Sequence, residues 1–240
     1  YINSLNMVIF LFIIFLFYSE AKIKGTNLGS YFVLEPYINP SLFYQFIGRN
    51  DAVISDSYTF CKYLGPLEAN KQLTKHWDSW VTFEKLAKLK EYGINTIRVP
   101  LSDWMFIPYE VFDITENNVR CYDGSLNYLD KIFDYSEQLN LKLLLDIHAV
   151  KDSQNGFDNS GLAKDIVIKK NNNIIYFDHW NYRSADWIGD YNITSKNYTN
   201  INYYNIQFTL RIIELILDRY QDRDAFWGLE PINEPWENTP

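Results

Sequence analysis

At 240 residues, 47% hydrophobic and 22% charged, the chain is long and apolar enough to bury a full core as one domain, which excludes a disordered polypeptide. Thirty acidic residues against 22 basic ones leave a net charge of -8 that repels a phosphate backbone, and no Lys/Arg cluster with interleaved aromatics offsets it, so nucleic acid is not an expected partner. Aromatic residues make up 18% of the chain, a supply of flat apolar faces that suits a groove for sugar rings as well as a Tyr-rich core.

The chain opens with an unbroken apolar run, Met7 to Tyr18, followed by Ser19-Glu20-Ala21. The run is short of the roughly 20 residues that cross a membrane, and the small residues suit a signal-peptidase cut after Ala21. Residues 1–21 are therefore predicted to be a signal peptide and residues 22–240 one exported domain, secreted to the extracellular space or cell wall without a stable membrane span. No Lys or Arg precedes the run, which keeps a signal anchor as the alternative. Two acceptor triplets for N-glycans, Asn192-Ile193-Thr194 and Asn197-Tyr198-Thr199, agree with export.

Beyond residue 21, apolar strands alternate with amphipathic helices, which predicts an α/β fold with a parallel sheet. Trp80, Phe83, Leu86 and Ala87 form one face of a helix capped by Asp78 and ended by Gly93, before a strand from Ile94 to Val99. Ser125 opens a second helix with Leu126, Leu129, Ile132 and Phe133 inward; Asn140 closes it, and Leu141 to His148 reads as a buried strand. Tyr204, Phe208, Ile212, Leu215 and Ile216 mark a third helix leading into a strand from Phe226 to Asn233. Between His148 and that helix runs a connection of about 50 residues, far longer than such loops need, which points to function. Its Trp180, Trp187 and Tyr191 are either sugar-stacking faces or loop anchors. Cys61 and Cys121 have no metal-knuckle spacing and are either free buried thiols or a single bridge.

Three strand ends supply polar groups that a structural terminus does not need: Arg98, His148 and the pair Asn233-Glu234. Ligands of α/β sheets and β/α barrels sit at that edge. A guanidinium inside Ile97-Arg98-Val99 demands a carboxylate, and Asp146 or Glu230 can provide it from a neighbouring strand. Asp146 and His148, two apart, share a strand face. No His/Asp/Glu spacing calls for a metal and no Gly-rich loop for a nucleotide, so no cofactor is expected.

Four stretches in chain order resemble one family. Lys24-Gly25-Thr26-Asn27-Leu28-Gly29 with Leu34-Glu35-Pro36-Tyr37-Ile38 and Pro40-Ser41-Leu42-Phe43, then Ile94 to Pro100 with Trp104 and Phe106, then Leu145-Asp146-Ile147-His148 with Ser153 to Gly161, and finally Asn233-Glu234-Pro235 are similar to the exo-β-1,3-glucanases of glycoside hydrolase family 5, the fungal cell-wall type. The string Ser153-Gln154-Asn155-Gly156-Phe157-Asp158-Asn159-Ser160-Gly161 is the most specific of these, whereas Asn-Glu-Pro is common to many glycosidases.

The resemblance implies a (β/α)8 TIM barrel, truncated here after about the fourth strand, and retaining hydrolysis of β-1,3-glucan from its non-reducing end with release of glucose. It makes Glu234 the acid/base and Asn233 a donor to the sugar's 2-hydroxyl, with Glu35, Asn159 and His148 lining the same subsite. Arg98 would hold the nucleophile's carboxylate and Phe157 would stack at the pocket entrance. The implied partner is a β-glucan polysaccharide or oligosaccharide. An acid must keep its proton near working pH, so Glu234 is expected to be enclosed.

The family's nucleophile lies about 100 residues beyond its acid, past Pro240, so residues 22–240 alone are expected to be inactive and poorly stable. Three departures stand inside the motifs. Ser30-Tyr31 replaces Gly-Trp; Ala149-Val150-Lys151-Asp152 replaces a Gly/Pro loop; and Pro231 removes a ladder donor from the expected fourth strand. They motivate a second reading, an inactive glucan-binding relative; a β-1,4-glucanase or β-mannanase on the same barrel is the nearer alternative.

Overall fold

The computed structural model describes residues 22–49, 53–109, 112–113, 115–164, 167–171, 174–178, 185–192 and 194–235. The predicted signal peptide and Trp180 lie outside these residues. In chain order the elements are β1 (Gly25–Asn27), α1 (Ser57–Trp80), α2 (Phe83–Glu91), β2 (Thr96–Ser102), the short hairpin β3 (Thr115–Glu116) and β4 (Val119–Arg120), and α3 (Ser125–Gln138). Then follow β5 (Lys142–Ala149), the hairpins β6 (Val167–Asn171) with β7 (Ile174–Asp178) and β8 (Asp190–Asn192) with β9 (Asn197–Thr199), α4 (Tyr203–Tyr220) and β10 (Phe226–Glu230). The four-stranded sheet has the order β1-β2-β5-β10, every pair parallel, so this is the expected α/β architecture with helical crossovers.

The alternation along the central strands separates two chemistries. Ile97, Val99 and Leu101 of β2 and Leu143, Leu145 and Ile147 of β5 are fully buried in one cluster with Leu86, Leu129, Ile132, Phe133, Ile212 and Ile216 of the helices. Each such side chain contributes roughly 1.5–3 kcal/mol of burial. The intervening positions, Arg98, Asp146 and His148, share the other face of the sheet.

Helix ends follow local chemistry. Asp56 caps α1, accepting from the Thr59 amide at 2.7 Å, and Asn202 caps α4 through the Asn205 amide at 3.1 Å. Helix α1 breaks at Gly65 (φ 73°, ψ 162°), a conformation glycine adopts freely, and restarts at Pro66. The sequence pattern places Trp80 on the next helix with Asp78 as its cap. In the structure Trp80 ends α1, Val81 is extended, and Thr82 caps α2; Asp78 instead accepts from the Tyr128 hydroxyl at 2.8 Å. The α2 stop at Gly93 (φ 84°) and the α3 stop at Asn140 (φ 51°) fall where the sequence put them.

Cys61 and Cys121 form a disulfide, which decides between the two readings left open for them and ties α1 to the loop before α3. Strand β10 ends at Glu230, in register with Asp146, so Pro231 lies just past the ladder and costs it no donor, contrary to expectation. The bend after β5 is made without glycine: Asp152 and Ser153 both take φ 65°.

Candidate active site

Arg98 anchors the polar face. It is the third residue of β2 rather than its end, because that strand runs on to Ser102. Its Nε and Nη2 donate to the two oxygens of Glu230 at 2.8 and 2.9 Å, and Nη2 also reaches Asp146 Oδ2 at 3.0 Å and Asn233 Oδ1 at 2.8 Å. Nη1 donates to Asn27 Oδ1 at 3.2 Å. Both carboxylates named as alternatives therefore engage it. Burial works against its charge, but the bonds to Glu230 and the charges of Asp146, Glu230 and Glu234 outweigh it and raise its pKa.

Asp146 is fully buried, and its Oδ2 also contacts His148 Nδ1 at 2.6 Å. Desolvation raises its carboxyl pKa, opposed by the bond to His148 and the charges of His148 and Arg98. This contact turns the other ring nitrogen of His148, Nε2, inward, where it is buried and has no hydrogen-bond partner.

Asn233 follows β10, and its amide donates to Ile147 O at 2.9 Å, extending the pairing past Pro231. Its Oδ1 is held by Arg98, leaving Nδ2 buried and unpartnered. Glu234 takes φ 41°, and its Oε2 accepts from Asn159 Nδ2 at 2.8 Å, while Asn159 Oδ1 is a further buried acceptor without a partner. The Glu234 side chain is exposed, so the enclosure expected for it is not found. It stands beyond the last ladder residue of β10, which among the described residues pairs with β5 alone. Its charge is nonetheless felt by Arg98 and by Tyr37.

Glu35 lies buried on the loop after β1. Its oxygens accept from the Ser30 amide at 3.2 Å and from the Tyr37 hydroxyl. Burial, then the bond to Glu35, pushes the Tyr37 pKa up. Ser30, where glycine was expected, takes φ 57° and its Oγ accepts from the Glu35 amide at 3.0 Å, so the serine reinforces the turn it strains. Phe157 is half-buried beside Asn159 on the loop after β5.

That loop returns under the site. Ser153 and Ser160 hydroxyls meet at 2.5 Å, and Gly161 O accepts from the Tyr58 amide at 2.9 Å. Gly161 packs so close to Trp104 that a Cβ there would overlap the indole. Of the aromatic residues left open, Trp187 donates to Thr209 Oγ1 at 2.9 Å and so anchors its loop to α4, and Tyr191 packs on Tyr198 at 5.2 Å.

The structure thus gathers Arg98, His148, Asn159, Asn233 and Glu234. The sequence reading missed Asn27, Gln154 and Asn155 as members of the set. Gln154 and Asn155 lie within the stretch Ser153 to Gly161, and their side-chain amides are the signal for them. Among the described residues no group of three or more His, Cys, Asp or Glu side chains is placed to hold a metal ion, and no helix is long and apolar enough to cross a membrane.

No family model matches the chain. Comparison with curated proteins does find relatives. A glucan 1,3-beta-glucosidase of Yarrowia lipolytica is 34% identical over 225 residues, covering 91% of this chain and 44% of the relative. This chain is a homologue of glucan 1,3-beta-glucosidases. A second such glucosidase, from Candida oleophila, is 36% identical over 223 residues, covering 91% of this chain and 43% of its own length. The chain therefore spans under half the length of these glucosidases. The crystal structure of a rutinosidase from Aspergillus niger superimposes with a TM-score of 0.63 at 21% identity, over 90% of this chain and 49% of that one, a likeness of fold. The chain is glycosidase-like in sequence and in fold.

Proposed function

We propose that these residues belong to a secreted, retaining exo-β-1,3-glucosidase built on a (β/α)8 barrel, acting on the non-reducing end of β-glucan with Glu234 as acid/base. The observation that supports this most is the set of unpartnered buried atoms around Glu234: His148 Nε2, Asn159 Oδ1 and Asn233 Nδ2. Buried polar atoms are normally paired, so three together beside an exposed carboxyl suit a ligand rich in hydroxyls. The β-1,3-glucan specificity is taken from the glucosidase relatives.

In this reading the sugar ring lies over His148 and Asn233, and its 2-hydroxyl takes the bond offered by Asn233 Nδ2. Glu234 gives its proton to the departing glycosidic oxygen, and a second carboxylate about 5–5.5 Å away attacks the anomeric carbon. Water then enters with Glu234 acting as base. The bound glucan covers the exposed flank of Glu234, removing water from it at the step where its proton is needed. Glu35 lines the same subsite, and Phe157 stacks on the next sugar. Arg98 is spent on Glu230 and Asp146, so its first task here is to hold the floor of the site in its charged form.

The test is Glu234→Gln in a full-length form of the protein. Cleavage of laminarin-type oligosaccharides should fall by about 100-fold or more, since the general acid contributes that much. Unchanged turnover would remove Glu234 from the mechanism.

A further inference from the structure

Glu234 carries an unusual backbone. Its φ of 41° is in the left-handed region that side chains with a Cβ avoid, and it precedes Pro235, whose ring restricts the residue before it. The segment also lies past the end of β10, so ladder pairing no longer holds it, apart from the Asn233 amide on Ile147 O. A strained conformation in such a place persists only if neighbouring groups impose it.

Two consecutive side-chain amides from the loop after β5 do so. Gln154, 1% exposed, directs Nε2 to His148 O at 2.8 Å and to Asn233 O at 3.0 Å, joining the end of β5 to the segment that follows β10. Asn155, 2% exposed, donates from Nδ2 to Glu234 O at 3.0 Å, and its own orientation is fixed because Oδ1 accepts the Phe157 amide at 2.9 Å. The same loop then sends Asn159 Nδ2 to the Glu234 carboxylate itself. Backbone and side chain of Glu234 are thus gripped by one loop.

We infer that Gln154 and Asn155 are positioning residues whose amide donors hold Asn233-Glu234 in its left-handed turn and thereby aim the Glu234 carboxyl at the glycosidic oxygen. The inference rests on the reading of Glu234 as acid/base. Neither amide touches the sugar. Their effect is on proton delivery, so it depends on how much the leaving group needs a proton.

The experiment compares kcat/KM for two substrate types in the full-length protein, its Asn155→Ala and Gln154→Met variants, and Glu234→Gln as a reference. Both positioning variants remove a donor, and Gln154→Met does so at nearly constant volume and without adding a charge. With a glucan oligosaccharide, whose leaving group needs protonation, each should lose about 100-fold, the scale of a misplacement near 1 Å. With a dinitrophenyl β-glucoside, which departs unaided, each should stay within about 2-fold of the parent, and Glu234→Gln should show the same split. Equal losses on both substrates, no loss on either, or failure of both variants to fold would overturn the positioning role and leave the two amides as ordinary structural groups. A split in Glu234→Gln without one in the other two sinks this inference alone; no split in Glu234→Gln takes down the acid assignment and the inference together.

Discussion

Asp103 stands outside the proposed chemistry, just after β2 and against the loop that follows β5. Fully buried, it accepts the Lys151 amide at 2.6 Å and is also bonded by the Tyr109 side chain and the Trp104 backbone. Burial raises its carboxyl pKa from 3.8 to about 7, against the opposing bonds from Lys151, Tyr109 and Trp104. The folded protein therefore binds this proton more tightly than the unfolded chain does, and the group lowers stability as pH rises from 3.8 through about 7. Asp103→Asn keeps an acceptor for Lys151 and removes the titration. Relative to the parent, the variant's unfolding free energy should gain up to about 4 kcal/mol between acidic and mildly alkaline pH. Urea denaturation at both ends of that range measures it, and parallel curves for the two proteins would rule the effect out. At this scale the demand of Arg98 for a carboxylate was legible, because a guanidinium in an apolar strand has few alternatives. The exposure of Glu234 was not, since a residue's place after an apolar segment does not tell how far the strand's pairing runs beside it.

Among the elements, α1 was the one the sequence concealed. Its buried residues include Asn70 and His76 as well as Phe60, Leu73 and Trp77, and the break at Gly65-Pro66 interrupts the period that marks a helix. By contrast α3 and α4 bury a regular stripe and carry end signals, so their places were readable. Pro231 was misjudged for a related reason: pattern alone extends a strand as far as apolar residues continue, whereas β10 stops at Glu230. The Cys61–Cys121 bridge closes a sequence separation of 60 across the broken helix. Chain-entropy reasoning gives a loop of that length about 4 kcal/mol of stabilisation. The double variant Cys61→Ser/Cys121→Ser should melt well below the parent, and a calorimetric scan showing no shift would mean that strain or residual unfolded structure offsets the constraint.

For the molecule as a whole, the parallel sheet and its crossovers were legible from alternating periods, and the glucosidase relatives agree with the ordered motifs rather than with any one of them. Less legible was the long connection, which folds into hairpins instead of open loop. In one of them the two glycan acceptors, Asn192 and Asn197, are exposed cross-strand partners. If the protein passes through a secretory pathway, as proposed, endoglycosidase treatment of material from a eukaryotic host should lower its mass, and the combined Thr194→Ala/Thr199→Ala variant should lose that shift. Export without any glycan on this hairpin would count against the prediction.

The guanidinium of Arg98 touches Asn27 of β1, Asp146 of β5 and Glu230 of β10 from its own place in β2, so one side chain meets all four strands. A slip of one position in any strand would turn its polar group to the opposite face and strand the cation. The residue thus acts as a key that only the native alignment fits. Loss of turnover after changing it cannot be credited to chemistry until the alignment of the strands has been checked independently.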